Sequence, residues 1–74
     1  MDGEYNLKVG KCVQNLRKKK GWTQELLAVK LQLVGCDLTR SAIAKIEVGQ
    51  RSLYPDEIKA LLGVFQVSTE ELLP

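Results

Sequence analysis

Residues 22–49 read WTQELLAVKLQLVGCDLTRSAIAKIEVG, and the two halves of this stretch share one local grammar. Each half sets an apolar residue and a threonine ahead of a helical run: Trp22-Thr23 before Gln24, and Leu38-Thr39 before Arg40. A threonine so placed accepts a hydrogen bond from a backbone N–H that the first helical turn leaves without a partner. Leu27 and Ile43 stand at the fourth helical position, spaced as hydrophobic-staple partners of Trp22 and Leu38. Ala28 and Leu31, with Val34 as a further candidate, continue one buried stripe; Ala42, Ile43 and Ile46 make the other. Gly35 and Gly49 close the two runs. The stretch therefore predicts two short capped helices, about 23–34 and 39–48, joined by a compact connection.

The flanks follow the same period. Val9, Val13 and Leu16 fall at i, i+4 and i+7, with Cys12 beside them, and predict a helix over about 7–20. Gly21 stops it, and Arg17-Lys18-Lys19-Lys20 suits its negative C-terminal end. After the loop Gln50 to Leu53, Pro55 fits a first helical turn and Asp56 and Glu57 complement the helix start. Ile58, Leu61, Leu62 and Phe65 then form the inward face of a helix over 55–65. Ser68-Thr69-Glu70-Glu71 is a capping-box sequence opening a last helix, 69–73, with Val67 and Leu72 as its staple. Residues 1–5 read as a loose lead-in. The expected fold is all-α, a compact five-helix domain spanning 1–74.

Length and composition narrow the function classes. A chain of 74 residues has room for one small domain. Leucine and valine dominate its apolar set and aromatics are few, which suits helices. The formal charge is only +2, but it is unevenly spread. Residues 1–51 carry ten Lys/Arg against five acids, a net of +5, and residues 52–74 carry one against four, a net of −3. That asymmetry fits a domain with one phosphate-facing side, or an ordinary solvated surface. Cys12 and Cys36 form no CxxC and the chain has no histidine, so no metal and no cofactor is expected. With no signal peptide read at the start, the cysteines are expected as free thiols in a reducing cytoplasm, a redox link between them being the alternative. No apolar run approaches the roughly 20 residues that span a bilayer. Without histidine, a Gly-rich phosphate loop or a nucleophile with an evident base, enzyme chemistry is not expected, nor is a small-molecule ligand.

Helix 39–48 has the split that groove reading needs. Ala42, Ile43 and Ile46 anchor it. Arg40, Ser41, Ala44 and Lys45 face outward near its start. Arg40 has the fork to pair with guanine O6 and N7, Lys45 a point charge for base or phosphate, Ser41 a hydroxyl, and Ala44 a methyl to meet that of thymine. On these residues alone, a solvated face with two basic side chains remains the alternative.

Three segments resemble the Cro/lambda-repressor-like (XRE-type) family of helix-turn-helix DNA-binding domains. Leu16 to Ala28 is similar to its L-R-x-x-x-G-[LW]-T-Q-x-x-L-A. Ser41 to Arg51 is similar to S-x-I-x-x-[IWL]-E-x-G-x-R. Leu61 to Leu73 is similar to L-x-x-x-L-x-V-S-x-x-x-L-L. Three pieces in order over about residues 9–73 are more specific than any one.

The resemblance implies a double-stranded-DNA-binding transcriptional regulator, of repressor type, in a bacterial or phage cytoplasm and on the nucleoid when bound. It places Gln24 against the DNA backbone as a brace of the recognition helix. Thr39, Arg40, Ser41, Ala44 and Lys45 fall at its base-facing or phosphate-adjoining positions, and Gln50 and Arg51 in its phosphate-holding loop. It pairs Arg17 with Glu47 in a partly buried salt bridge, so both are expected to be structural. It also implies a homodimer through the C-terminal region, Val64 to Leu73; those residues folded onto their own core are the alternative. One departure stands out. Seven residues, Gln32 to Leu38, separate Leu31 from Thr39 where the family has about three. One extra turn on the second helix accounts for them, because four residues nearly match the helical repeat of 3.6. A competing function is a protein-interaction module, antitoxin-like, on the same fold with weak or no DNA binding.

Overall fold

The computed structural model describes residues 3–74. Five helices follow in order: α1 (Gly3–Lys19), α2 (Gln24–Leu33), α3 (Arg40–Glu47), α4 (Pro55–Phe65) and α5 (Thr69–Leu72). No strand occurs among the described residues. The all-α, five-helix expectation is met. α1 packs on α3 and α5, while α2 packs on α3 and α4.

The two threonine caps form as the sequence requires. Thr23 Oγ1 accepts from Leu26 N at 3.0 Å and Thr39 Oγ1 from Ala42 N at 3.1 Å. α4 starts at Pro55 behind Tyr54, whose backbone N–H donates to the Glu57 carboxylate at 2.9 Å. Ser68 N donates likewise to Glu71 Oε1 at 3.1 Å.

Two readings are corrected. The lead-in is not loose over its described part, since α1 already runs at Gly3 rather than from Leu7. Met1 and Asp2 lie outside the described residues. The reason is tertiary. Tyr5, Asn6 and Val9 line a hollow with Leu53, Ile58 and Leu73, and Gly49 sits against Leu7. That support has no periodic signature in residues 3–6. Val34, a candidate for the buried stripe, is instead the C-cap of α2 and is 60% exposed.

The core gathers Val13, Leu27, Leu31, Leu38, Ile43, Ile46, Leu61, Phe65 and Leu72 from all five helices and the α2–α3 connection. Trp22 packs on it from the α1–α2 turn, stacked on Phe65 with ring centroids 5.8 Å apart. The extra turn of α2 ends at Gly35, whose φ of +83° is a left-handed conformation that other residues adopt at a cost. The chain then folds back, with Cys36 N bonded to Leu31 O at 2.9 Å and Cys36 and Leu38 both buried. Cys12 and Cys36 are free, and burial pushes the Cys36 thiol pKa up, keeping it neutral.

α1 lies so close to the end of α3 that Gly10 has no room for a side chain. An added Cβ would collide with the Ile46 carbonyl oxygen and lie 2.9 Å from the Glu47 carbonyl carbon. Gly10→Ala is therefore expected to destabilise by about 1–3 kcal/mol through overpacking. Gly63→Ala, inside α4 with open space around the added carbon, is expected to stabilise by about 0.5–1 kcal/mol. Urea denaturation should move the two midpoints in opposite directions; a shift of both the same way would contradict this packing.

Candidate nucleic-acid interface

α3 is held from behind by an ion pair. Arg17 Nε donates to Glu47 Oε2 at 2.7 Å and Nη2 to Oε1 at 3.0 Å, joining side chains 30 residues apart in sequence. The remaining guanidinium arm, Nη1, donates to the Trp22 carbonyl at 2.8 Å. Gln24 Nε2 donates to Glu47 Oε1 at 3.0 Å. The two side chains are 10% and 1% exposed. The hydrogen bonds to Glu47 raise the Arg17 pKa further, against the desolvation that opposes them. No buried side-chain N or O lacks a partner among the described residues.

A second clamp lies beyond the other end of the loop after α3. Arg51 Nη1 and Nη2 donate to the two Glu57 oxygens at 2.8 Å each, and Nη1 also to the Ser52 carbonyl at 3.0 Å. The guanidinium sits 5.0 Å from the Tyr54 ring centroid. The Arg51 hydrogen bonds lower the Glu57 carboxyl pKa below its ordinary value, with the Tyr54 N–H helping and burial opposing.

With these two arginines engaged, the outward residues stand apart from them. Arg40, Ser41 and Lys45 are exposed on α3, and Ala44 is half-buried between them. Thr39 is exposed, but its hydroxyl is occupied by the cap. Gln50 is exposed in the following loop. Gln24 is half-buried, and with Arg17, Thr23, Glu25 and Arg40 it lines an open concavity between the starts of α2 and α3. Of the residues singled out from the sequence, the structure thus groups Gln24 with Arg40 at one rim and spreads Ser41, Ala44 and Lys45 along α3. It turns Arg51 toward Glu57. Sequence reasoning placed Glu57 only as a complement to the helix start and missed its clamp on Arg51. A glutamate third in a helix whose cap is tyrosine was the available signal, because the cap N–H then needs a carboxylate.

An apolar-backed helix with an exposed polar face, set on a preceding helix through a turn, is the helix-turn-helix arrangement. Residues 13–72 match the family model described as Helix-turn-helix, and the chain belongs to that family. It is a DNA-binding transcription regulator of the XRE-like type. The chain is similar to the crystal structure of the restriction-modification controller protein C.AhdI from Aeromonas hydrophila, with a TM-score of 0.83 and 30% identity over 96% of each chain. No curated protein matches it. Among the described residues no helix is long and apolar enough to cross a membrane, and no group of three or more His, Cys, Asp or Glu is placed to hold a metal ion.

Two outcomes test the clamps. Glu47→Ala leaves Arg17 buried without its counter-charge and is expected to cost about 3–5 kcal/mol in chemical denaturation, while an apolar replacement of both partners recovers much of the loss. Glu57 has a folded-state pKa below the ordinary 4.5, so its ionised form is favoured by folding. Its contribution is complete above that ordinary value and is lost as pH falls through the lowered one. Melting temperature against pH should therefore fall less steeply on the acid side in Glu57→Gln than in the wild type; equal slopes would remove Glu57 from the acid transition.

Proposed function

We propose that the protein reads specific double-stranded DNA sequences by laying α3 in the major groove, acting as a repressor. Arg40, Ser41, Ala44 and Lys45 face base edges. Thr39 adjoins the backbone through the cap of α3, and Gln24 and Gln50 face phosphates on either side. The observation that carries this is the exposed Arg40–Ser41–Lys45 face on a helix whose opposite face is buried and ion-paired to α1. Arg51 serves this reading by fixing the loop that presents Gln50, with Glu57 as its anchor. The likeness to C.AhdI supports a controller of restriction-modification genes as the regulatory role. The role is binding rather than catalysis, in the cytoplasm.

A homodimer completes the proposal, because one module of this size covers little of a specific site. The C-terminal region supplies its contact. Leu72 is fully buried in its own core and Val64 lines the hollows beside the end of α2, so the contribution falls to the half-buried Val67 and Leu73. Beside Leu73 lies a hollow of about 70 Å³ lined by Tyr5, Val9, Leu53 and Ile58, sized for a partner side chain.

Binding-site selection followed by fluorescence titration tests the reading. A two-fold symmetric site is expected, with affinity falling steeply as salt rises. Arg40→Ala and Lys45→Ala are each expected to cost about 1–3 kcal/mol of specific binding where they contact a base, without loss of folding. If no duplex binds above non-specific background, the protein-interaction role on the same fold replaces this one.

A further inference from the structure

We infer that the groove between the C-terminal turn of α2 and the outer face of α4 docks a short acidic, apolar segment of a partner protein. Two adjoining hollows share Val34 and Val64 as their common wall. One is completed by Asp56, Lys59, Ala60 and Gly63, the other by Lys20, Trp22, Lys30, Leu33 and Gln66. Leu33 is 81% exposed and Val34 60%, both on the turn that lengthens α2. A single exposed leucine is ordinary, but apolar residues grouped beside the rim of a half-exposed tryptophan mark a contact surface. Ala60 and Gly63 keep the α4 side low enough for another backbone to approach.

The charge around the groove selects the occupant. Its rim holds Lys20, Lys30 and Lys59 against Asp56 alone. No ion pair engages those lysines among the described residues. Lys30 Nζ stands 4.6 Å and Lys20 Nζ 5.9 Å from the Trp22 ring centroid, which sets both charges beside the tryptophan rim of the groove. A second copy meeting this patch with its own would set lysines against lysines, since a two-fold interface pairs like surfaces. Duplex DNA would satisfy the lysines but offers nothing to Leu33, Val34 and Val64, and the groove shares no residue with the outer face of α3. A segment interleaving Asp or Glu with leucine-like side chains meets both demands.

Peptide display from a random library against the intact protein tests this, with the selected peptides then titrated by the fluorescence of Trp22, the chain's one tryptophan. Selected peptides should be enriched in acidic and apolar residues. Their affinity should fall at least tenfold in Leu33→Ser with Val34→Ser, and likewise in Lys30→Glu with Lys59→Glu, while both variants keep the wild-type circular dichroism and binding to duplex DNA. Peptides without acidic bias, no selected peptides, or equal affinity for the variants would overturn the assignment. So would conversion of a dimer to monomer by Leu33→Ser with Val34→Ser in sedimentation, which would make the groove a contact between copies.

Discussion

The Arg17–Glu47 pair is the constraint from which the placement of α3 follows. Two opposite charges removed from water are tolerated only in close, fully bonded geometry, because each alone would carry a desolvation cost of several kcal/mol. Here every guanidinium arm is used: Glu47 takes two donors and the Trp22 carbonyl takes the third. Glu47 in turn accepts from Gln24, so the end of α1, the α1–α2 turn, the start of α2 and the end of α3 meet at one charged centre. A rotation of α3 about its axis would break several of these bonds together. The orientation of its outer face is thus set by a polar network, and the apolar contacts of Ile43 and Ile46 supply the adhesion.

Arg51 and Glu57 apply the same chemistry at the next connection. There the carboxylate joins the loop after α3 to the first turn of α4 and also takes the Tyr54 cap N–H. The molecule's arginines consequently divide into kinds. Arg17 and Arg51 are held by carboxylates inside the chain, whereas Arg40 is presented outward. For a DNA-binding regulator this matters, since a basic residue already paired contributes little to phosphate attraction. Net charge by region would have counted all three alike.

The longer α2 shows how an insertion is absorbed. Gly35 ends the turn after α2, and buried Cys36 and Leu38 return the chain to the core ahead of Thr39. The material left over is Leu33 and Val34, which the core does not cover and which gives the α2–α4 groove its apolar wall.

The sequence by itself determined the elements. Thr23, Thr39, Pro55 and Ser68 mark helix starts, and Gly21, Gly35 and Gly49 mark turns, because caps and left-handed turns are decided within a few residues. The stripes through Leu27, Leu31, Ile43, Ile46 and Phe65 named most of the core for the same local reason, periodicity. The resemblance carried by Leu16–Ala28 and Ser41–Arg51 added the family, and with it the pairing of Arg17 and Glu47. Only the tertiary structure decided which charges are spent. Arg51 turning to Glu57, Gln24 joining Glu47, the helical start at Gly3 and the exposure of Val34 all depend on groups that meet through space. A side chain chooses between a carboxylate and solvent by what the fold brings within about 3 Å of it, and no local pattern encodes that distance.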